Sequence, residues 1–464
     1  MRAGKHITYI RDWKLADRIE PVVRVGVILD QDEQELVQMR LPAHAYTACG
    51  LESAMLQLEP FTAVKIAKAD DELVVRIGDS GRWTTPALRL ACATPAGPQA
   101  GESGIFVRDV VAGRGFHWQK RINQTLAGDI ELLPGKHGVV LVNELPLEEY
   151  LAGVITAEMA GACPAELLRA QCVVARSWLL AMTEHKHDHD PFDRCNDDCC
   201  QRYQGTGDIG ATALEAVHST RGLVLLDPVG AVLDANYAKS CGGISETPKH
   251  VWGMDKPGIS AIVDAPQDEA ARRFWPITAD NLEEYINGAW LADTRIYCSP
   301  NVVSLKDVQR YLGRVDEVGD YFRWKLTYTR RELDELLRAK LPEARELALL
   351  RDLRVTARGV SGRASHMELE WEDATGQVVT TSLDSEYRIR EVLHQNFLYS
   401  SAFVFHVKHA GDGRIDAIEF RGAGWGHGVG MCQIGALGMA LTGIDYVTIC
   451  QHYYPEANLC HVYE

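Results

Sequence analysis

The feature that most constrains the fold is a change of pattern at Pro146. From Val22 to about Ala91, short runs alternate apolar and polar residues, as in Val23-Arg-Val-Gly-Val-Ile-Leu and Leu73-Val-Val-Arg-Ile, with turn residues between them. A period of two sends successive side chains to opposite faces, the signature of strands. Ala93 to Gly104, rich in Pro and Gly, reads as a loop. A second β stretch follows through Gly115-Phe-His-Trp and Val139-Val-Leu-Val-Asn. Beyond Pro146 the period changes: Leu147, Tyr150, Leu151, Val154 and Ile155 recur at helical spacing, and the pattern runs to Met159. Pro164 opens another helix, where its missing N–H costs nothing, and that helix runs to about Thr183. Leu223 to Tyr237 returns to strands. Residues from about Phe274 to Phe405 are mixed, with an amphipathic helix over Thr329 to Lys340 and strands such as Leu353-Arg-Val-Thr-Ala-Arg and His366-Met-Glu-Leu-Glu-Trp. The C-terminal part holds a Gly-rich turn, a small-residue helix and an aromatic end.

Separate runs of strands and helices imply an α+β chain. We expect a mixed, multi-lobed architecture: a β-rich N-terminal region over 1–140, a first part of a catalytic core over 141–272, a mixed second lobe over 273–410, and the rest of the core over 411–464. The core is thus built from two separated chain segments. The 464 residues suffice for about two to four folding units. With 48 Lys plus Arg against 64 Asp plus Glu, the net charge is −16. That balance argues against a nucleic-acid partner, which draws on clustered cations. A transmembrane segment needs about 20 apolar residues in a row. The richest run, Leu167 to Met182, is shorter and is broken by Arg169, Gln171, Arg176 and Ser177, so it reads as a buried helix. The N-terminus lacks the apolar core and small-residue cleavage site of a secretory signal. Three readings stay open: a cytoplasmic chain, export by another route, or a start farther upstream.

Three segments carry chemistry on their own residues. Glu158 lies seven and four positions after Leu151 and Val154, hence on the apolar face of its helix. Burial disfavours a charged carboxylate, and a neutral one is what a general acid needs. The competing reading pairs Glu158 with Arg169 or Arg176. Next, His185-Lys-His-Asp-His-Asp-Pro-Phe-Asp-Arg-Cys-Asn-Asp-Asp-Cys-Cys-Gln has three His and three Cys, so this loop is expected to be held by something other than a core. His189, Cys195, Cys199 and Cys200 are candidate ligands for a closed, structural zinc site; the alternative is a solvated acidic loop. The other cysteines are scattered, which favours reduced and mostly buried thiols. Third, Gly422-Ala-Gly-Trp-Gly-His-Gly-Val-Gly-Met follows a strand-like run, but it fits no nucleotide-binding register and no Gly-Lys-Ser/Thr follows. Its alternate glycines let the backbone approach a ligand or another chain segment, and His427 either reaches a cleft or packs in the turn. Tyr237, Ser240 and the Gly242-Gly243 turn add a weaker signal, since a nucleophilic serine needs a positioned base.

Together these stretches resemble the stage II sporulation protein D and amidase-enhancer family. The matching motifs are Leu145-Pro-Leu-Glu-Glu-Tyr-Leu-Ala-Gly-Val-Ile-Thr-Ala-Glu-Met, Pro164-Ala-Glu-Leu-Leu-Arg-Ala-Gln-Cys-Val-Val-Ala-Arg-Ser-Trp, Cys199-Cys-Gln-Arg-Tyr-Gln-Gly, Tyr237-Ala-Lys-Ser-Cys-Gly-Gly, and Gly424-Trp-Gly-His-Gly-Val-Gly-Met-Cys-Gln-Ile-Gly-Ala, ending in His452-Tyr-Tyr-Pro. Their order and spacing agree from about Leu145 to Leu459. Residues 1–140 match loosely, with Gly115-Phe-His-Trp similar to an accessory segment of some relatives.

The resemblance implies a peptidoglycan lytic transglycosylase acting on glycan strands, with Glu158 as its acid/base. It further implies substrate contacts from Gln171, Arg176, Tyr237, Ser240, Trp425 and His427, with Gln171 and Arg176 alternatively orienting the Glu158 helix. Some relatives bind zinc in the corresponding loop through a His, a Cys and an adjacent His-Cys pair. Here Cys199 stands where that histidine would be, and thiolate is an equally good ligand; the first histidine is His189 or His187, with spacing favouring His189. The family works on the wall side of the membrane. Two other readings compete: a glycan-binding regulator that stimulates a separate cell-wall amidase, and a thiol or zinc sensor built on the cysteine loop.

Overall fold

The computed structural model describes residues 7–51, 54–79, 81–92, 104–115, 119–183, 185–267, 270–288, 294–312, 319–342, 344, 349–373, 375–411 and 414–464. Most of the expected Ala93–Gly104 loop, and Phe116, His117 and Trp118 of the accessory run, lie outside them. The chain forms two compact units: Met1–Leu225 with Leu459–Glu464, and Leu226–Asn458.

In the first unit the alternating N-terminal runs become two antiparallel-rich sheets. One has seven strands in the order Arg194–Cys195, Val22–Ile28, Val139–Pro146, Asp129–Pro134, Leu88–Cys92, Tyr46–Leu51, Ala54–Leu58. The other has six: Lys120–Leu126, Ile105–Ala112, Leu36–Arg40, Ala63–Ala69, Glu72–Ile77, Arg82–Thr85. Val22 pairs with Pro146 and Val25 with Asn143, so the strand that launches the first helix is held centrally in its sheet. Helix α1, Leu147–Met159, follows with no break and is buried along its whole length. Helix α2, Ala165–Ala181, packs beside it. The helix read from the sequence as running to Thr183 ends at Ala181, where Met182 adopts a left-handed conformation.

The second unit contains two three-stranded sheets: Arg323–Thr329, Ile415–Ala423 and Phe403–His409; and Leu349–Arg358, Ala364–Glu372 and Val378–Leu383. Their inner faces share one core with helices Arg330–Lys340 and Glu386–Val392, built around Trp371, Phe403, Phe420 and Leu337. Helix Arg330–Lys340 starts where Thr329 and Glu332 cap each other reciprocally. The stretch expected to return to strands over Leu223–Tyr237 does so at its ends, in Leu223–Leu226 and Tyr237–Ala238. Between them Asp227 accepts from the backbone of Val229 and Ala231, a side-chain turn that outcompetes extended pairing. Among the described residues no helix is long and apolar enough to cross a membrane.

Candidate functional site

Glu158 occupies the last turn of α1 and is 9% exposed. Its Oε1 accepts the backbone N–H of Arg202 at 3.2 Å. Arg169 pairs instead with Glu166 at 2.6 Å, and Arg176 with Glu148, so neither arginine takes the partner role that the competing reading required. Two residues on, Ala160 ends the helix at φ +54, a conformation that costs a non-glycine residue and fixes where the turn after Glu158 goes.

The segment carrying Arg202 is clamped to the two helices. The Tyr150 and Tyr203 rings stack at 5.3 Å, and the Tyr203 hydroxyl donates to Asn143 Oδ1 at 2.8 Å. Gln201 accepts from the Tyr150 hydroxyl and donates to the Ala175 carbonyl. Gly153 makes this approach possible, because a Cβ there would sit 2.5 Å from the Tyr203 ring and 2.7 Å from the Gly205 carbonyl oxygen.

Asp198, one turn earlier, pairs with the Arg202 side chain at 3.2 Å. Burial pushes its carboxyl up to about 6; Arg202 opposes the rise and the negative charge of Glu158 adds to it. A second carboxylate thus shares the electrostatic surroundings of Glu158. Sequence reading missed it, since an Asp in an acidic loop carries no periodic signal.

The His/Cys loop is anchored more firmly than its composition implies. Arg194–Cys195 adds a parallel strand to the large sheet, with Cys195 opposite Gly26. Phe192, Cys195, Leu29, Val140 and Val142 form a small apolar cluster, against which Cys200 also packs. A side chain at Gly26 would meet the Phe192 ring at 2.7 Å. Arg11 bonds Asp193 at 2.6 Å, and Arg114 joins Asp32, Asn196 and Asp197. The expectation that no core holds this loop is therefore corrected: a satellite core and a strand do.

His187, Cys195, Cys199 and Cys200 bring one nitrogen and three sulfurs within 4.8 Å of one another. The histidine in this set is His187, which corrects the choice of His189; His189 is exposed. The reason is ring packing. His187 lies against Phe192 at 5.0 Å, and its Nδ1 bonds Asp190 Oδ2 at 2.7 Å, leaving Nε2 toward Cys199. Hydrogen bonds to Cys199 and Cys200 push its imidazole up to about 10, with burial opposing the rise and Asp190 adding to it. Three thiols and an imidazole oriented by a carboxylate fit a tetrahedral metal site with nitrogen and sulfur ligands.

Gln171 and Arg176 are fully buried, so neither presents a side chain to a glycan, a correction to their expected substrate contacts. Arg176 makes a bidentate pair with Glu148 at 3.0 and 2.7 Å and donates to the Leu223 carbonyl. Burial pushes Glu148 up, but Arg176, the Tyr463 hydroxyl and the Gly222 N–H outweigh it and hold the carboxyl below its usual range. The pair locks α2 to the start of α1.

Tyr237, Ser240, Trp425 and His427 belong to the second unit, so the expected core residues divide between the two units. Four of the five alternate glycines, Gly424, Gly426, Gly428 and Gly430, have positive φ. Their close neighbours are other chain segments: a Cβ at Gly430 would lie 1.9 Å from the Asn236 carbonyl oxygen, and one at Gly428 2.3 Å from the Arg363 guanidinium carbon. Ser240 is fully buried and exchanges backbone bonds with Trp425, donating at 3.0 Å and accepting at 2.8 Å. Its expected substrate contact is corrected: it holds the turn that presents Trp425.

Trp425 stacks on Tyr399 at 4.4 Å and meets Tyr321 edge-on at 4.9 Å. The His427 ring lies 5.0 Å from that of Trp252, which is 39% exposed and covered by Lys256 at 4.6 Å. Burial, with Arg390 and Arg363 nearby, pushes His427 down to about 3, so its imidazole is neutral at ordinary pH. Its Nδ1 accepts the Val429 N–H at 3.1 Å. Tyr237, half-buried, pairs with Met431. The result is an aromatic surface with one neutral imidazole, suited to the apolar faces of sugar rings.

Residues 135–226 match the family described as stage II sporulation protein, a span that contains Glu158 and the His/Cys cluster. Residues 248–430, which include Trp425 and His427, match a domain of unknown function. An uncharacterized protein of Brachyspira hyodysenteriae (strain ATCC 49526 / WA1) is 25% identical over 332 residues, 72% of this chain and 71% of that protein. The amidase enhancer of Bacillus subtilis (strain 168) is 25% identical over 317 residues, 67% of this chain and 40% of its own length. This chain therefore spans less than half of that relative.

Proposed function

The chain belongs to the stage II sporulation protein D and amidase-enhancer family, and from that premise we propose that it is a lytic transglycosylase of peptidoglycan glycan strands. Family membership supports a role at the cell wall; the observation that carries the finer reading is Glu158. Its carboxyl is almost fully buried and accepts a backbone N–H from the loop that carries Asp198, while Arg169 and Arg176 are engaged by Glu166 and Glu148.

Protonated Glu158 donates to the glycosidic oxygen leaving C1 of N-acetylmuramic acid, and the C1–O bond breaks. The carboxylate so formed takes the proton of the same sugar's C6 hydroxyl, whose oxygen bonds C1. The product is a 1,6-anhydro end, formed without water. Most glycosidases need a second carboxylate as nucleophile or to activate water. Here nucleophile and electrophile belong to one sugar, and high effective molarity replaces that group. Asp198 and its Arg202 partner set the local charge, and the aromatic surface around Trp425 and Trp252 offers stacking faces for glycan.

His187, Cys195, Cys199 and Cys200 would hold zinc as a closed structural site. Bound there, the metal supplies cross-linking rather than Lewis-acid chemistry, because four protein ligands complete its coordination. Cys199 and Cys200 lie just before Arg202, so their fixation holds the N–H that meets Glu158.

A second reading, a glycan-binding regulator that stimulates a separate amidase, is favoured by the name of the Bacillus subtilis relative. Digestion of purified glycan separates the two. Anhydromuramyl ends from wild type and none from Glu158→Gln support the transglycosylase; no such ends from either protein, with faster amidase turnover, supports the regulator.

A further inference from the structure

A second group of metal-ligating side chains lies in the second unit, far in sequence from the His/Cys loop. Cys241, Asp264, Cys298 and Cys432 come from four separate stretches, yet their ligand atoms lie within 4.8 Å of one another. All four are at most 3% exposed. Three free thiols gather around a carboxylate that is costly to bury unless its charge is compensated.

We propose that Cys241, Cys298, Cys432 and Asp264 hold a structural zinc ion. Two of the ligand spacings match those of a tetrahedral site. Zinc–sulfur bonds of about 2.3 Å put two sulfurs about 3.8 Å apart, and a zinc–oxygen bond of about 2.1 Å puts sulfur and oxygen about 3.6 Å apart. The Sγ atoms of Cys241 and Cys298 are 3.7 Å apart, and Cys241 Sγ is 3.4 Å from Asp264 Oδ2. A disulfide needs sulfurs at about 2.05 Å.

The surroundings are those of ligated thiolates. Cys432 Sγ accepts N–H groups from Cys241 at 3.2 Å and Gly435 at 3.3 Å, and Cys241 Sγ accepts from Gly243 at 3.3 Å. Cys432 also caps the nine-residue helix Gln433–Leu441, where the helix dipole favours an anion. Asp264 turns its other oxygen to the Tyr453 hydroxyl at 2.7 Å and to His452 Nε2 at 3.5 Å, the outer contacts that orient a ligating carboxylate. Gly435 keeps the site open, since a Cβ there would lie 2.4 Å from Asp264 Oδ2. Arg363 and Arg323 donate to the Cys241 and Gly242 carbonyls and bring positive charge to an anionic cluster.

The ion would fasten the two strands that build the aromatic surface. Tyr237 pairs with Met431 and Ala238 with Cys432, while Ser240 and Trp425 bridge beyond them. A metal joining Cys241 to Cys432 closes that ladder at its base.

The test is zinc content, by elemental mass spectrometry, of the full chain purified under reducing conditions. Wild type is expected to hold about two zinc ions per chain, and Cys195→Ser about one. Cys195→Ser combined with Cys298→Ser is expected to hold none. Cobalt-loaded Cys195→Ser should show thiolate charge-transfer and tetrahedral d–d bands, a readout that stands even where Cys298→Ser does not fold. His187→Ala replaces Cys195→Ser if the latter misfolds. Absence of metal and of those bands in folded Cys195→Ser overturns the proposal, as does a chain two hydrogens lighter with Cys241 and Cys298 cross-linked. Zinc lost in Cys298→Ser but unchanged in Cys195→Ser supports this site and counts against the loop site. Glycan cleavage plays no part in any of these outcomes.

Discussion

The backbone N–H of Arg202 meets Oε1 of Glu158 at 3.2 Å, across 44 positions of sequence. The contact fixes a carboxyl in the last turn of α1 by a loop that the cysteines hold. A glutamine at 158 keeps a carbonyl oxygen for that N–H and fills the same space. Glu158→Gln is therefore expected to leave the unfolding free energy within about 0.5 kcal/mol of wild type while glycan cleavage falls at least about 100-fold. Parallel urea titrations and product analysis check the two halves separately.

Arg176 and Glu148 form a buried pair between α2 and α1. Removing one partner strands the other charge without water. Arg176→Met or Glu148→Gln should each cost about 3–5 kcal/mol, with the double change costing less than the sum. Denaturant unfolding of the four proteins measures that coupling; additive costs would remove the locking role.

The loop's nitrogen ligand distinguishes two histidines two positions apart. His187→Ala should lose the loop's zinc ion and His189→Ala should keep it, since among these two only His187 packs on Phe192 with its Nε2 turned toward Cys199. Equal zinc content in the two variants would sink the assignment. If the metal organises the Arg202 segment, His187→Ala should also slow glycan cleavage.

His427 is held down to about 3 in the fold by burial and by Arg390 and Arg363, against about 6.5 in an unfolded chain. Between those values the unfolded state binds a proton that the folded state does not. Stability should therefore fall as pH drops below about 6.5 and stop falling from this source near 3. His427→Gln should flatten the slope of urea midpoint against pH in that window. An unchanged slope would mean that the imidazole titrates normally.

Gly428 sits at φ +74 with the Arg363 guanidinium where a side chain would go. Gly428→Ala should cost about 1–3 kcal/mol from backbone strain alone, with overpacking added. The loss should show as disordering of Trp425, read by its fluorescence.

Much of the local structure was written in the sequence. The residues of α1 repeat every third and fourth position, so Leu147–Met159 was legible to the residue, and Glu158 fell on its apolar face without reference to any partner. The alternation from Val22 onward announced strands, and amphipathic spacing announced the helix read over Thr329 to Lys340. These signals depend on neighbours within a turn or along a strand, and sequence states those directly. Order and spacing of motifs also carried the family.

Tertiary structure decided what each polar group is used for. Arg176, on a helix the sequence announced, turned out to serve Glu148, and Ser240 to brace Trp425. His187 displaced His189 because an aromatic ring and a carboxylate happened to lie beside one of them. Cys241, Asp264, Cys298 and Cys432 span almost two hundred positions, and nothing near any one of them in sequence announces the other three. Periodicity is set by the covalent chain over a few residues, whereas a site is set by which distant segments the burial of apolar surface brings together.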